Sequence, residues 1–218
     1  MVTQPPEESH FLEDFRTYLN YLRTHQVRIT TLKGHIPLRH LKDLGKLMLG
    51  REPFHPLDVN SSFEMRCQRD ERRIDFMDML AMHMELIARS ELGYIVPGGG
   101  WGPFMQMGAK DGSVALWRAF WDMDWSFLYS WTEIVDRLQT ERFKLLGDMR
   151  KNPSGQKIFL KTLPPECPGD GFFWVLIRPL EYLGLAQGFF AKDAQGFWFP
   201  EAFALNAEFY ARPSSFPL

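Results

Sequence analysis

Cysteine is almost missing from this chain, with Cys67 and Cys167 its only two. Neither has a second cysteine within ligand spacing, which excludes a zinc ribbon or a C-x-x-C redox pair within the sequence. Long apolar runs are missing too. No stretch approaches the roughly 18 uncharged apolar residues of a membrane span, so none is implied and no membrane partner is expected. The first residues, Met1 to Glu8, lack both the basic and the apolar region of a secretory signal. Residues 1–10 therefore read as a disordered leader, and the expected setting is a reducing cytoplasm with free thiols. Acids are nearly missing between Arg16 and Arg51. Eight cations there (Arg16, Arg23, Arg28, Lys33, Arg39, Lys42, Lys46, Arg51) face one acid, Asp43. The net charge of the whole is -2, so a basic first segment is joined to an acidic body.

What is present is a soluble-type composition with 45% hydrophobic and 24% charged residues, and an aromatic share of 15% that suggests an aromatic core or contact surface. At 218 residues the chain has room for two domains. Phe11, Phe15, Tyr18, Leu19 and Leu22 recur at helical spacing and predict an amphipathic helix over Phe11 to His25, with Glu13, Asp14, Arg16 and Arg23 elsewhere on its circumference. Val27 to Thr30 alternates like a short strand. Pro37 suits a first helical turn, and the helix it opens runs to about Leu49, with Leu38, Leu41, Leu44 and Met48 on one side and Arg39, Lys42 and Lys46 as a basic stripe on another. Residues 50–62 read as a loop.

The organising stretch is Arg72 to Met107. A long amphipathic pattern runs to Glu91, Leu92-Gly93 ends it, and a hairpin is predicted from Tyr94 to Pro97 through Gly98-Gly99-Gly100 into a strand Trp101 to Met107. On that wheel Asp75, Asp78, Met82, Glu85 and Arg89 are left to water. Lys110 to Ser113 reads as a linker, with Ser113 a cap for a helix Val114 to Trp121. The tryptophan-rich segment Trp117 to Trp131 suits packing between two units. A helix from about Trp131 to Met149 is stopped by Asn152 to Gly155, and Lys161 to Gly171 is a rigid loop. Asp170 is placed to cap an apolar helix from Phe172, which Pro179 should kink. Leu183-Gly184, a strand Leu185 to Phe190, a turn Ala191 to Gly196 and a strand Phe197 to Phe199 then repeat the earlier grammar. The expected architecture is mainly α with small β-hairpins, an α+β arrangement of two units, 11–110 and 111–212, with a tail 213–218.

The run Ile29 to Leu41, the long helix with its Leu-Gly hairpin, and Leu116 to Phe120 together resemble bacterial winged-helix proteins, nearest to the helicase-associated XPB-like winged-helix domains. The resemblance covers roughly residues 27 to 121, and the second unit matches in outline. It implies tandem winged helices serving as an accessory in nucleic-acid transactions, without a helicase motor.

Candidate chemistry is thin. Gly98 to Gly100 lacks the following Lys-Ser/Thr of a phosphate loop and suits a wing turn. His83-Met84-Glu85 has the H-x-E of a zinc deaminase but not its paired cysteines, so His83 reads as a core or semi-buried histidine. His35 and His40 lack further ligands nearby. Asp70, Glu71, Asp75 and Asp78 point several ways along one helix rather than gripping a metal pair. Neither Cys67 nor Cys167 has a base nominated beside it. No catalytic residue, metal, cofactor or small-molecule substrate is expected.

Two functions remain. The first is a non-catalytic adaptor in a multi-subunit assembly, with Trp101, Phe172, Phe173 and Trp198 as candidate protein-interface residues. The second is non-specific contact with a DNA or RNA backbone through Arg23, Arg28, Lys33, Arg39, Lys42 and Lys46, since phosphate neutralisation needs several cations on one surface. Groove reading is disfavoured by the acids of the central helix and by an apolar run that offers no donor before Arg178.

Overall fold

The computed structural model describes residues 10–50, 72–125, 132–163, 169–192, 194 and 198–211. Both cysteines, Asp70, Glu71, the loop 51–62, the tail and the aromatic residues 126–131 fall outside them. The described chain is mainly helical with small antiparallel sheets. Its contacts divide it between Met123 and Asp124 into two compact units.

In the N-terminal unit, α1 spans Phe11–His25, α2 Leu38–Leu47 and α3 Arg72–His83. The strands β1 (Ile87–Arg89) and β2 (Ile95–Pro97) pair antiparallel, and α4 (Trp101–Gln106) and α5 (Ala109–Asp122) follow. The α1 periodicity buries Phe11, Phe15, Tyr18, Leu19 and Leu22 against Ile74, Phe76, Met77 and Leu80 of α3 and Trp117, Phe120 and Trp121 of α5, all in the core. The short strand expected at Val27 to Thr30 is a bridge at Arg28, which pairs with Tyr94 beside β2. Ile29 N–H donates to the Gly93 carbonyl and Ile95 N–H to that of Val27, each at 2.9 Å. β2 therefore lies in the middle, between residues 27–29 and β1.

The C-terminal unit begins with α6 (Thr132–Met149), followed by β3 (Lys157–Phe159) and a 3-10 helix, Leu160–Thr162. Then come α7 (Gly169–Phe172), a π-turn (Phe173–Ile177), α8 (Arg178–Tyr182), β4 (Ala186–Lys192), β5 (Trp198–Leu205) and α9 (Ala207–Ala211). The sheet order is β3-β5-β4. Again the last strand is central, flanked by the strand that follows the first helix and by its hairpin partner. Pro179 has no N–H, and in a regular helix its ring would meet the carbonyl four residues back. The chain answers with the π-turn, in which Arg178 N–H reaches the Phe173 carbonyl, so the expected kink is realised as a widened turn.

Several expectations fail on local grounds. α3 ends at His83 rather than Glu91, and Leu92-Gly93 is the tip of the β1–β2 hairpin. Gly98 to Gly100 lead into α4, so the expected strand Trp101 to Met107 is helical as far as Gln106, and the glycines are not a wing turn. A Cβ at Gly98 would stand 2.2 Å from the Glu85 carbonyl oxygen and one at Gly100 2.8 Å from that of Met84, so these two glycines serve a close backbone crossing, while Gly99 has open space around it. Lys110 to Ser113 lies inside α5, whose N-cap is Gly108, because helix-compatible residues on both sides override one glycine. Asp170 lies within α7 rather than ahead of it.

The two units share their helix ending, although not at the residues where the sequence repeats. Met84, Glu85 and Leu86 N–H groups donate to Leu80, Met82 and Ala81, and Leu183, Gly184 and Leu185 donate to Pro179, Glu181 and Leu180. These are the same three bonds, the capping pattern that places one left-handed residue after a helix. That residue is Gly184 (φ 70°) in one unit and Glu85 (φ 54°) in the other. A side chain there costs about 1 kcal/mol, part of which glycine returns as unfolded-state entropy. Glu85→Gly is therefore expected to raise stability by about 0.5–1 kcal/mol. A thermal midpoint that stays level or drops would count against the shared cap.

Candidate functional site

The six candidate nucleic-acid-binding cations lie in the N-terminal unit, and all are exposed. Arg23 sits in the last turn of α1, Arg28 in the bridged strand, Lys33 in the turn that follows, and Arg39, Lys42 and Lys46 on α2. The α2 residues share a face by periodicity, because Leu41 and Leu44 are buried and fix the opposite face inward. Asp43 stands in the same stripe, its Oδ1 3.3 Å from Lys46 Nζ, which trims the positive charge. Aromatic rings engage two of the others. The Arg23 guanidinium lies 4.7 Å from the ring centre of half-buried Trp101, and that of Arg28 lies 5.8 Å from Tyr94.

Beneath the stripe, His40 is nearly buried. Arg39 Nε–H can only donate, so His40 Nε2 accepts from it at 3.3 Å and the proton resides on Nδ1, which donates to the Tyr21 hydroxyl at 2.9 Å. His25 stacks on the Tyr21 ring with centroids 3.9 Å apart. Burial lowers the His40 pKa below the usual histidine value, repulsion from Arg39 and His25 lowers it further, and Asp43 opposes them. A depressed folded-state pKa means that the unfolded chain binds the proton more readily, so the contribution to stability is full above the unfolded value and is lost as pH falls through the folded one. Acidification below about pH 6.5 is expected to lower the thermal midpoint, and His40→Gln to flatten that part of the profile. A variant whose midpoint tracked wild type through the range would exclude His40 as the cause.

α3 differs from its expected face. Asp78 is not exposed: it is buried and accepts from the Tyr18 hydroxyl at 2.5 Å, with Arg89 Nη2 3.9 Å from its other oxygen. Burial, reinforced by the charge of Asp78, raises the Tyr18 pKa well above its ordinary value. Glu85 and Arg89 lie past the helix end. The exposed side chains of α3 are Met82 and His83, with Arg72, Asp75 and Met79 half-buried. His83 is thus a surface histidine, because the helix stops before a second seam can cover it.

In the C-terminal unit, Phe172 and Phe173 are fully buried, so two of the proposed interface residues are spent inside the unit. Phe172 packs 5.8 Å from Phe203 and Phe173 5.3 Å from Phe190. Trp198 opens β5 opposite Lys192. Arg178 is also fully buried: Nη1 donates to Glu181 Oε2 at 2.8 Å, and the guanidinium lies 5.6 to 5.9 Å from the rings of Trp174, Tyr182 and Phe190. The other Glu181 oxygen accepts from Gly188 N–H at 2.5 Å. The donor that sequence reasoning left available on this helix is therefore sequestered.

Protein-family models, curated proteins and solved structures return no match to the chain.

Among the described residues no three His, Cys, Asp or Glu side chains gather as a metal site, and no helix is long and apolar enough to cross a membrane. Sequence reasoning missed two features. One is the buried pair Asp14 and Arg73, hidden because Asp14 occupies a helix position that a polar face explains equally well. The other is the exposure of Leu32 and Leu92, for which neighbouring Gly34 and Gly93 were the available turn signals.

Proposed function

We propose that the chain is a non-catalytic adaptor built from two winged-helix-type units and held in a larger protein assembly, one that acts on nucleic acid. The shared order supports this reading: helix, strand, helical segment, longer helix and hairpin, with the last strand central in both units. The observation that carries the adaptor role is the fate of the two third helices. A helix that reads a groove needs several exposed donors. α3 exposes only Met82 and His83 fully, and the segment Phe172 to Tyr182 buries its aromatic residues and Arg178 apart from half-exposed Trp174. Both helices are consumed as core, leaving loops, wings and α2 for contacts.

A second reading rests on the exposed cations Arg23, Arg28, Lys33, Arg39, Lys42 and Lys46: non-specific contact with a DNA or RNA backbone. One titration separates the two. A labelled duplex and a single strand are offered across a salt series to wild type and to Arg39→Glu with Lys42→Glu. The adaptor reading expects negligible binding at physiological salt, no effect of the charge reversal, and a stoichiometric protein complex recovered from the native host. Tight binding whose logarithm falls steeply with that of salt, and which the reversal abolishes, would favour the backbone reading and overturn the first.

A further inference from the structure

We infer that the two adjacent turns 30–35 and 90–94 form a docking point for an anionic lipid surface, with Leu32 and Leu92 as inserted tips. Leu32 is 92% exposed and Leu92 72%, the two most exposed large hydrophobic side chains among the described residues. Sheet pairing brings the turns that carry them to the same end. Residues 27–29 run antiparallel to the start of β2, so the turn that leaves Ile29 and the hairpin that arrives at Gly93 emerge from the same end, joined by the Ile29–Gly93 hydrogen bond of 2.9 Å. Each turn is closed on itself. Thr30 N–H donates to His35 and Gly34 N–H to Thr30, while Ser90 N–H donates to Tyr94 and Gly93 N–H to Ser90, at 2.8 to 2.9 Å. Gly34 and Gly93, at φ 64° and 78°, supply the left-handed residue each turn needs. The Arg89 guanidinium lies against Gly34, 3.0 Å from where a Cβ would stand, and so bridges the two turns.

The surroundings of the tips identify the occupant. Exposed Thr31 and Lys33 flank Leu32 in its turn, and on the strands behind the tips stand exposed Arg28 and half-buried Tyr94, with the Arg28 guanidinium over the tyrosine ring. Apolar tips followed by cations and an amphipathic aromatic are ordered as a bilayer is, from acyl chain to headgroup. Residues 26–35 hold no acid, and Glu91 is the one acid of 89–95. Arg89 contributes little to the attraction because Asp78 shares it at 3.9 Å. Two separate protrusions fit a fluid surface, whereas a protein partner would need two matched recesses. The expectation of no membrane partner rested on the absence of a spanning segment, and a surface contact needs none. This inference does not depend on the adaptor reading.

Burying one leucine is worth roughly tenfold or more in partition, and each cation near an anionic surface about fivefold. The test is flotation of the full chain with vesicles of phosphatidylcholine plus phosphatidylglycerol, against phosphatidylcholine alone, at low and high salt. Wild type is expected to float with the anionic vesicles at low salt, and much less with neutral ones or at high salt. Leu32→Ser with Leu92→Ser should lower partition by about 100-fold, and Arg28→Gln with Lys33→Gln by about 25-fold. Phe143→Ser, at an exposed residue on α6, should change nothing. Both leucines are exposed, so circular dichroism should report an unchanged fold. Failure of wild type to float with anionic vesicles overturns the proposal, and so does flotation that survives loss of both leucines. Leucine variants that lose a stoichiometric protein complex, where wild type never floats, would make the tips a protein contact and overturn it as well.

Discussion

Asp14→Ala is expected to destabilise the N-terminal unit by about 3–5 kcal/mol, read as a lowered urea midpoint with an unchanged slope. The Asp14 carboxylate is fully buried. It accepts from Arg73 Nη2 at 2.6 Å, from Leu49 N–H at 2.6 Å and from Gly50 N–H at 2.9 Å, tying α1 to the end of α2 and the start of α3. Removing it takes away the carboxylate 2.6 Å from the buried Arg73 guanidinium and the acceptor that Leu49 and Gly50 N–H groups share. The loss of the ion pair dominates, because breaking a buried ion pair costs more than leaving a neutral group unsatisfied. Arg73→Met in the same chain should therefore recover part of the stability, the smaller remainder being the cost of the two amides that lose their acceptor. Asp14→Asn, which keeps an acceptor but not the charge, should fall between. A loss under about 1 kcal/mol for Asp14→Ala would place the carboxylate at the surface. Gly50 belongs to the same cluster, since a Cβ there would stand 2.2 Å from Arg73 Nη1.

Phe173→Ala carries the next largest effect, about 3–5 kcal/mol on the C-terminal unit. Its ring is fully buried, edge-on to Phe190 and Trp174 at 5.3 and 5.4 Å, and its Cζ lies 2.6 Å from where a Cβ on Gly188 would fall. That packing leaves a cavity when the ring is deleted, because Gly188 and the strand it sits on are held by Glu181 and cannot collapse inward. The same substitution separates core from interface. A partner-contact residue would lose affinity and keep its fold, whereas Phe173→Ala should lose near-ultraviolet dichroism and thermal stability with no partner present. A variant with wild-type melting would restore Phe173 to the surface. Trp101, half-buried beneath Arg23, is the one expected interface residue whose side chain is shown partly open to solvent.

Legibility followed the physics of each signal. α1 was readable to the residue because its apolar set keeps helical period and the chain turns sharply at Gln26. α2 was readable from Pro37 and the Leu41/Leu44 seam, and with it the exposed stripe of Arg39, Lys42 and Lys46. α3 was overextended because Ile87 and Ala88 satisfy a helical period as well as a strand one, and no glycine marks Glu85 as the cap. The hairpin reads one turn too late for the same reason: three consecutive glycines outweigh Leu92-Gly93, yet two of them, Gly98 and Gly100, serve a tight backbone crossing at residues 84–86. A local window holds no information about which carbonyl lies across the chain.

Composition and periodicity determined by themselves that this is a helix-dominated α+β protein with no membrane-crossing helix among its described residues, and that Arg39, Lys42 and Lys46 share an exposed face; each follows from local spacing of apolar and charged side chains. Tertiary structure decided the rest. It turned Asp14 and Asp78 inward, because their partners Arg73 and Tyr18 lie far along the sequence, and Arg178, because the rings of Trp174, Tyr182 and Phe190 close around it and its neighbour Glu181. It made Phe172 and Phe173 core, because a sheet formed by residues far along the chain covers them. It also brought the turns that carry Leu32 and Leu92 to one end of the paired strands, because sheet pairing joins segments that the sequence holds apart.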